Sequence, residues 1–204
     1  MKLLVDTDAF CKLGIAGLLA DSISILGVVE LRECGRLAAL PHMLRRGRLP
    51  KRYGVAACNG LLPLAEEMPV LPEPSLAWLD ALTQQEAIDP GEAQIFAVAA
   101  DSDLLVLSGD KRALRVLKNV AGLPESLHGR IVVLEAILLA LIDRLGPEEV
   151  RTRVAPLTGT DTTIGICFSS SSADPRVGLE SYYGSLADEV QPLILWSLHG
   201  KGDA

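Results

Sequence analysis

From Asp89 to Val133 the chain switches repeatedly between helix-like and strand-like patterns, and this alternation constrains the fold more than any other feature. Asp89-Pro90-Gly91-Glu92 supplies an N-cap acid, a first-turn proline and an N3 acid ahead of Ile95, Phe96, Ala99 and Ala100 at helical spacing. Leu104-Leu105-Val106-Leu107 follows as a buried strand, Ser108-Gly109-Asp110 as its turn and Lys111 to Val120 as the next helix, a β–turn–α unit. A further strand, Ile131-Val132-Val133, and a helix from Glu135 to Leu145, stopped at Gly146-Pro147, extend the alternation. At the N-terminus Lys2-Leu3-Leu4-Val5 is an apolar run that stops at Asp6-Thr7-Asp8, as a strand buried on both faces does. Strands alternating with helices imply a parallel sheet.

The rest of the chain is less regular. A helix is expected from about Phe10, broken near Asp21-Ser22, with more helical pattern from Ile25 to Leu40. Pro41 to Tyr53 reads as irregular and basic. Pro63 to Pro74, with four prolines, reads as loop around a short strand, Val70-Leu71. Past Arg153 the pattern predicts a strand over Thr163–Phe168, then four serines, Ser169 to Ser172, and a last helix from about Gly178. The expectation is an α/β fold with three layers, α/β/α, and a mainly parallel sheet over residues 1–145. Residues 146–204 are expected to form a C-terminal extension packed on or beside it.

Composition excludes several classes. Of 204 residues 49% are hydrophobic and 4% aromatic, which is the make-up of a packed helical or α/β protein and not of a disordered one. The apolar run Ala136–Ile142 is far short of the ~20 residues that cross a bilayer, so neither a membrane span nor a secretory signal is expected. Cys11, Cys34, Cys58 and Cys167 are widely spaced, with no Cys-x-x-Cys pair; this predicts reduced thiols, a cytoplasmic location and no structural zinc. The net charge is −7, which argues against coating nucleic acid by bulk charge but leaves local basic patches open.

Three acids stand where an open α/β sheet places its ligands, beyond the carboxyl ends of its strands. Asp6 ends the first strand, Asp110 follows the Leu104–Leu107 strand, and Glu92 begins the helix leading into that strand. Carboxylates gathered there repel one another unless a hard cation lies between them, which implies Mg²⁺ or Mn²⁺. Each acid also has a plainer reading. Glu92 completes a capping box with Asp89, and Asp110 can cap the following helix. Asp6, directly after Leu-Leu-Val, is costly to bury without a partner. Asp8 reads equally as a ligand or an N-cap, whereas Asp101 and Asp103 read as solvated loop residues.

With these motifs in view, Leu-Leu-Val-Asp6-Thr-Asp8, Pro-Gly-Glu92-Ala-Gln-Ile-Phe-Ala-Val-Ala-Ala and Val-Leu-Ser-Gly-Asp110-Lys111-Arg112-Ala-Leu resemble the PIN-domain nucleases over roughly residues 1 to 135. The resemblance implies a PIN-like parallel sheet covered on both faces and a carboxylate cluster that binds one or two Mg²⁺ or Mn²⁺ ions. It also implies an endoribonuclease that cleaves single-stranded RNA. By motif, Asp6, Glu92 and Asp110 carry over as metal-binding and catalytic acids. The family places another acid in a helix between the first two strands; Glu30 and Glu33 are the candidates, with Glu30 preferred. Besides RNA, a second copy of the chain and an antitoxin-like protein are candidate partners. Metal-assisted hydrolysis needs no nucleophilic side chain, and His42, His128 and His199 lie outside the acid motifs.

The one dense basic segment is Arg45, Arg46, Arg48, Lys51 and Arg52, with no acid between Pro41 and Tyr53. It reads either as a phosphate-holding patch or as a solvated loop. Lys111, Arg112 and Arg115 follow Asp110 directly and have the same two readings. Two rival functions remain. Asp6-Thr7-Asp8 with Ser-Gly-Asp110 is similar to the first and last motifs of haloacid-dehalogenase-type phosphatases, with departures at Phe10 and at Ala113-Leu114. The third is a PIN-like module that binds RNA or protein without catalysis.

Overall fold

The computed structural model describes residues 1–169 and 174–198; Ser170–Ser172 and His199 lie outside them. The sheet has four parallel strands in the order β2-β1-β3-β4: β1 Leu3–Val5, β2 Cys34–Gly35, β3 Leu105–Ser108 and β4 Ile131–Val133. Leu3, Leu4 and Val5 face Leu105, Val106 and Leu107, and Val106, Leu107 and Ser108 face Ile131, Val132 and Val133.

Successive strand residues point to opposite faces, and each face carries its own apolar core. Leu3, Val5, Leu107 and Val132 pack with α1 (Thr7–Ile15), α2 (Leu19–Ile25), α3 (Leu40–Arg45), α4 (Arg48–Tyr53) and α5 (Val55–Glu67). Leu4, Val106, Ile131 and Val133 pack with α6 (Leu76–Thr83), α7 (Pro90–Ala100), α8 (Lys111–Leu117) and α9 (Leu123–Ser126). The fold is therefore α/β, with helices on both faces of the sheet. α10 (Leu134–Leu145) and α11 (Pro147–Val154) lead to α12 (Thr162–Cys167) and α13 (Pro175–Glu189). Residues beyond 145 enter both cores: Val150, Ile164 and Leu179 join the first, Leu186, Leu193 and Leu195 the second. Leu195 also pairs with Ile131, and the Trp196 N–H donates to the Ile131 carbonyl at 2.8 Å.

Five expectations are corrected. The stretch from Ile25 to Leu40 is not a helix, because it contains β2, whose two residues are ordered by pairing with β1 and have no periodic pattern of their own. The basic segment 41–53 is helical in α3 and α4, and α5 carries Pro63 inside it where loop was expected. Val70 makes only an isolated bridge to Arg36. The Thr163–Phe168 strand is instead α12, since the Asp161 side chain accepts the Ile164 N–H at 2.8 Å and caps a helix there.

Candidate functional site

In the order β2-β1-β3-β4 the chain leaves β1 toward one side and later returns to its other side. The crevice between the carboxyl ends of β1 and β3 is thus the switch point where open α/β sheets bind ligands. A cleft of about 1100 Å³ opens there. Asp6, Asp8, Asp89, Glu92, Asp110 and Asp161 line it together with Arg46, Arg48, Lys51, Arg52, Lys111 and Arg112.

Asp6 follows β1 with extended backbone, and its N–H donates to the Leu107 carbonyl of β3 at 2.9 Å. It is 7% exposed and forms no ion pair among the described residues. Burial, and then the Asp8 carboxylate, push its carboxyl up to about 7, against the backbone N–H groups of Thr7 and Asp8. Glu92, 6% exposed, completes the capping box of α7: its Oε2 accepts the Asp89 N–H at 2.8 Å while Asp89 accepts the N–H groups of Gly91 and Glu92. Burial raises the Glu92 carboxyl well above the carboxylate range, the Asp89 N–H opposes this, and Asp110, Asp89 and Asp6 add to it. The capping and cleft readings of Glu92 thus hold together.

Asp110 caps α8 by accepting the N–H groups of Arg112 and Ala113, and its Oδ2 pairs with Arg112 at 3.0 Å. Burial would raise its carboxyl, but these bonds outweigh burial and hold it below the usual range. Gly109, just before it, lies close to Asp8: a Cβ there would come within 3.1 Å of Asp8 Oδ2, tighter than an ordinary contact. Thr7 Oγ1, also in the cleft wall, is buried without a hydrogen-bond partner among the described residues.

Asp8 is neither a free ligand nor an N-cap. Its Oδ1 accepts from Arg52 at 3.0 Å and from Tyr53 at 2.8 Å, and its Oδ2 lies 2.5 Å from Lys12 Nζ. Glu30 is exposed and lies outside the cleft, with Glu33, which pairs with Lys2 at 2.7 Å. Both precede β2, which runs parallel to β1, so they stand at the amino edge of the sheet, opposite Asp6. The choice of Glu30 as a further acid is corrected on this ground. Arg45 turns away to Glu66 at 2.7 Å and is absent from the cleft, whereas Arg46 and Arg48 line it. Lys111 is engaged by the buried Glu135 at 2.5 Å, by Thr163 at 3.1 Å and by the Tyr182 ring at 5.0 Å.

The sequence reading missed Lys12, Asp161, Glu135 and the wall formed by Thr160, Thr162 and Thr163. It also set aside His42, which lines the cleft. Only Lys12 had a local signal, its i,i+4 spacing from Asp8. The four cysteines are buried and unbridged, and burial pushes the Cys11 thiol up to about 12.

The donor set is hard carboxylate oxygen, suited to Mg²⁺ or Mn²⁺ and unsuited to soft metals. Two of its members, Asp6 and Glu92, are buried with no ion pair among the described residues. Among the described residues no three His, Cys, Asp or Glu side chains meet as a group that could hold a metal ion. Arg112 occupies Asp110, and the Asp89 N–H occupies Glu92. An entering ion therefore competes with both. Also among the described residues, no helix is long and apolar enough to cross a membrane. Comparison with protein-family models, with curated proteins and with solved structures gives no match.

Proposed function

We propose that the chain is a divalent-metal-dependent phosphodiesterase that cleaves single-stranded RNA, with Asp6, Glu92 and Asp110 holding Mg²⁺ or Mn²⁺. The observation that carries this reading is the burial of Asp6 and Glu92, with no ion pair among the described residues, at the switch point of the sheet, in a cleft also lined by Arg46, Arg48, Lys51 and Arg112. The short motifs shared with PIN-domain nucleases support RNA as the substrate. A bound divalent ion lowers the pKa of water and stabilises charge on a leaving oxygen. The chain supplies the rest. Arg46, Arg48 and Lys51 on one side, and Arg112 on the other, offer phosphate contacts across the mouth of the cleft, and α7 and the β3–α8 turn fix the acids.

The phosphatase reading is weaker here, because it asks Asp8 to exchange a proton while both its oxygens are held by Lys12, Arg52 and Tyr53. The test sets the full chain against a short single-stranded RNA and, separately, p-nitrophenyl phosphate, with Mg²⁺, Mn²⁺ or EDTA. The proposal expects RNA cleavage that EDTA, Asp6→Asn and Asp110→Asn each abolish. Monoester hydrolysis without RNA cleavage would turn the assignment to a phosphatase; RNA binding without cleavage would make the chain a binding module.

A further inference from the structure

The six acids of the cleft fall into two groups. Asp89 is spent on capping α7, and Asp110 faces both its cap and Arg112, leaving Asp6 and Glu92 as carboxylates with no cation. Asp8 and Asp161 form the other group, and one ammonium joins them. Lys12 Nζ lies 2.5 Å from Asp8 Oδ2 and 2.5 Å from Asp161 Oδ2, with the lysine side chain only 6% exposed. The group belongs to the site itself, because Asp8 and Asp161 both line the cleft and Asp8 Oδ2 lies beside Gly109, in the turn that presents Asp110. The C-terminal part of the chain holds it in place: Asp161 Oδ1 caps α12, and Arg52 bridges Asp8 Oδ1 and the Thr160 carbonyl, both at 3.0 Å.

We propose that Lys12 is a built-in cation buried behind the cleft wall, where it ties up Asp8 and Asp161, so that the site takes a single divalent ion at Asp6, Glu92 and Asp110. This rests on the metal reading above. A second ion would need the two carboxylates that the Lys12 ammonium and Arg52 already neutralise between them, and a buried charge held by two partners is not given up readily. Lys12 is thereby a positioning residue. It fixes Asp8 beside the β3–α8 turn, and it makes residues after 145 part of the site through Asp161.

The test counts bound Mn²⁺ on the full chain by electron paramagnetic resonance of the free ion, with circular dichroism to verify folding. The unaltered chain is expected to bind one ion. Lys12→Met, which keeps the length but not the charge, is expected to bind two, the second more weakly. Adding Asp161→Asn to Lys12→Met should return the count to one. Asp161→Asn alone, which leaves Lys12 on Asp8, should also bind one. Two ions on the unaltered chain would overturn the inference while leaving the proposed function standing. A single ion of unchanged affinity in folded Lys12→Met would do the same. If Lys12→Met does not fold, Lys12→Gln, which removes the charge but keeps an N–H donor, takes its place under the same criteria. No binding by the unaltered chain would overturn the proposed function and this inference together.

Discussion

Asp6→Asn tests whether the strand-end acid is strained in the absence of a cation. In the unfolded chain this carboxyl titrates near 3.8; in the fold, burial and the neighbouring Asp8 carboxylate raise it to about 7. The native state therefore keeps the Asp6 proton over a pH range where the unfolded chain has lost it. Below pH 4 both states are protonated and the group has no effect. Between about pH 4 and 7 folding takes up a proton, so the metal-free protein loses stability by roughly 1.4 kcal/mol per pH unit from this group. Above pH 7 the full cost, about 4 kcal/mol, is present. Asparagine has nearly the same shape and does not titrate. Urea denaturation in EDTA at pH 5, 6, 7 and 8 should show the variant gaining on the wild type by about 3 kcal/mol over that range, mostly below pH 7. With excess Mg²⁺ the wild type should recover about 2.7 kcal/mol at a hundredfold excess over Kd, while the variant recovers little. A stability difference that does not change with pH would refute the reasoning, because it would mean that the fold tolerates the charge at Asp6.

Other expectations follow from the same geometry. Glu92→Gln retains an oxygen for the Asp89 N–H and, because burial also raises the Glu92 carboxyl, should gain stability on the metal-free wild type as pH rises from 5 to 8, as Asp6→Asn does, while abolishing cleavage; survival of cleavage with a lower melting temperature would make Glu92 structural. Replacing Arg46, Arg48 and Lys51 by Gln should flatten the slope of log affinity against log salt for a single-stranded RNA by roughly two units, at about 0.7 per phosphate. Arg45→Gln, at a side chain turned toward Glu66, should leave that slope unchanged. Arg112→Gln releases the Asp110 carboxylate and should tighten Mn²⁺ binding in a calorimetric titration; weaker binding would show that Arg112 holds Asp110 in place for the ion and does not compete with it.

What could be read beforehand is what neighbouring residues decide among themselves. The strands at Leu3–Val5, Leu105–Ser108 and Ile131–Val133 are continuous apolar runs, and the start of α7 is written in its own capping box, so pattern and cap chemistry were sufficient. β2 was hidden because Cys34-Gly35 is a strand only by virtue of lying against Leu3 and Leu4. α12 was mistaken for a strand because Thr162, Thr163, Ile164 and Ile166 are β-branched; the Asp161 cap and burial of Ile164 and Cys167 against the core override that preference.

The site divides along the same line. Asp6, Glu92 and Asp110 were legible because each is fixed by its own strand end or helix cap. Their cationic counterparts were legible only in part: Arg46, Arg48 and Arg112 stand in or beside the motifs, whereas Lys12 and Lys111 are each fixed by a partner from another part of the chain. Asp8 and Lys12, four apart on α1, look like an ordinary solvated helix pair until the turn carrying Asp161 closes over them and buries the ammonium. Glu135 looks like a helix-start acid until the burial of α10 leaves Lys111 as its counter-charge. Burial converts these ordinary surface charges into fixed elements of the cleft, and burial is a property of the assembled core. The acids at the strand and helix ends can therefore be found in the linear sequence, whereas the partners of Lys12 and Lys111 are set by how α10 and the turn at Asp161 pack against the rest of the fold.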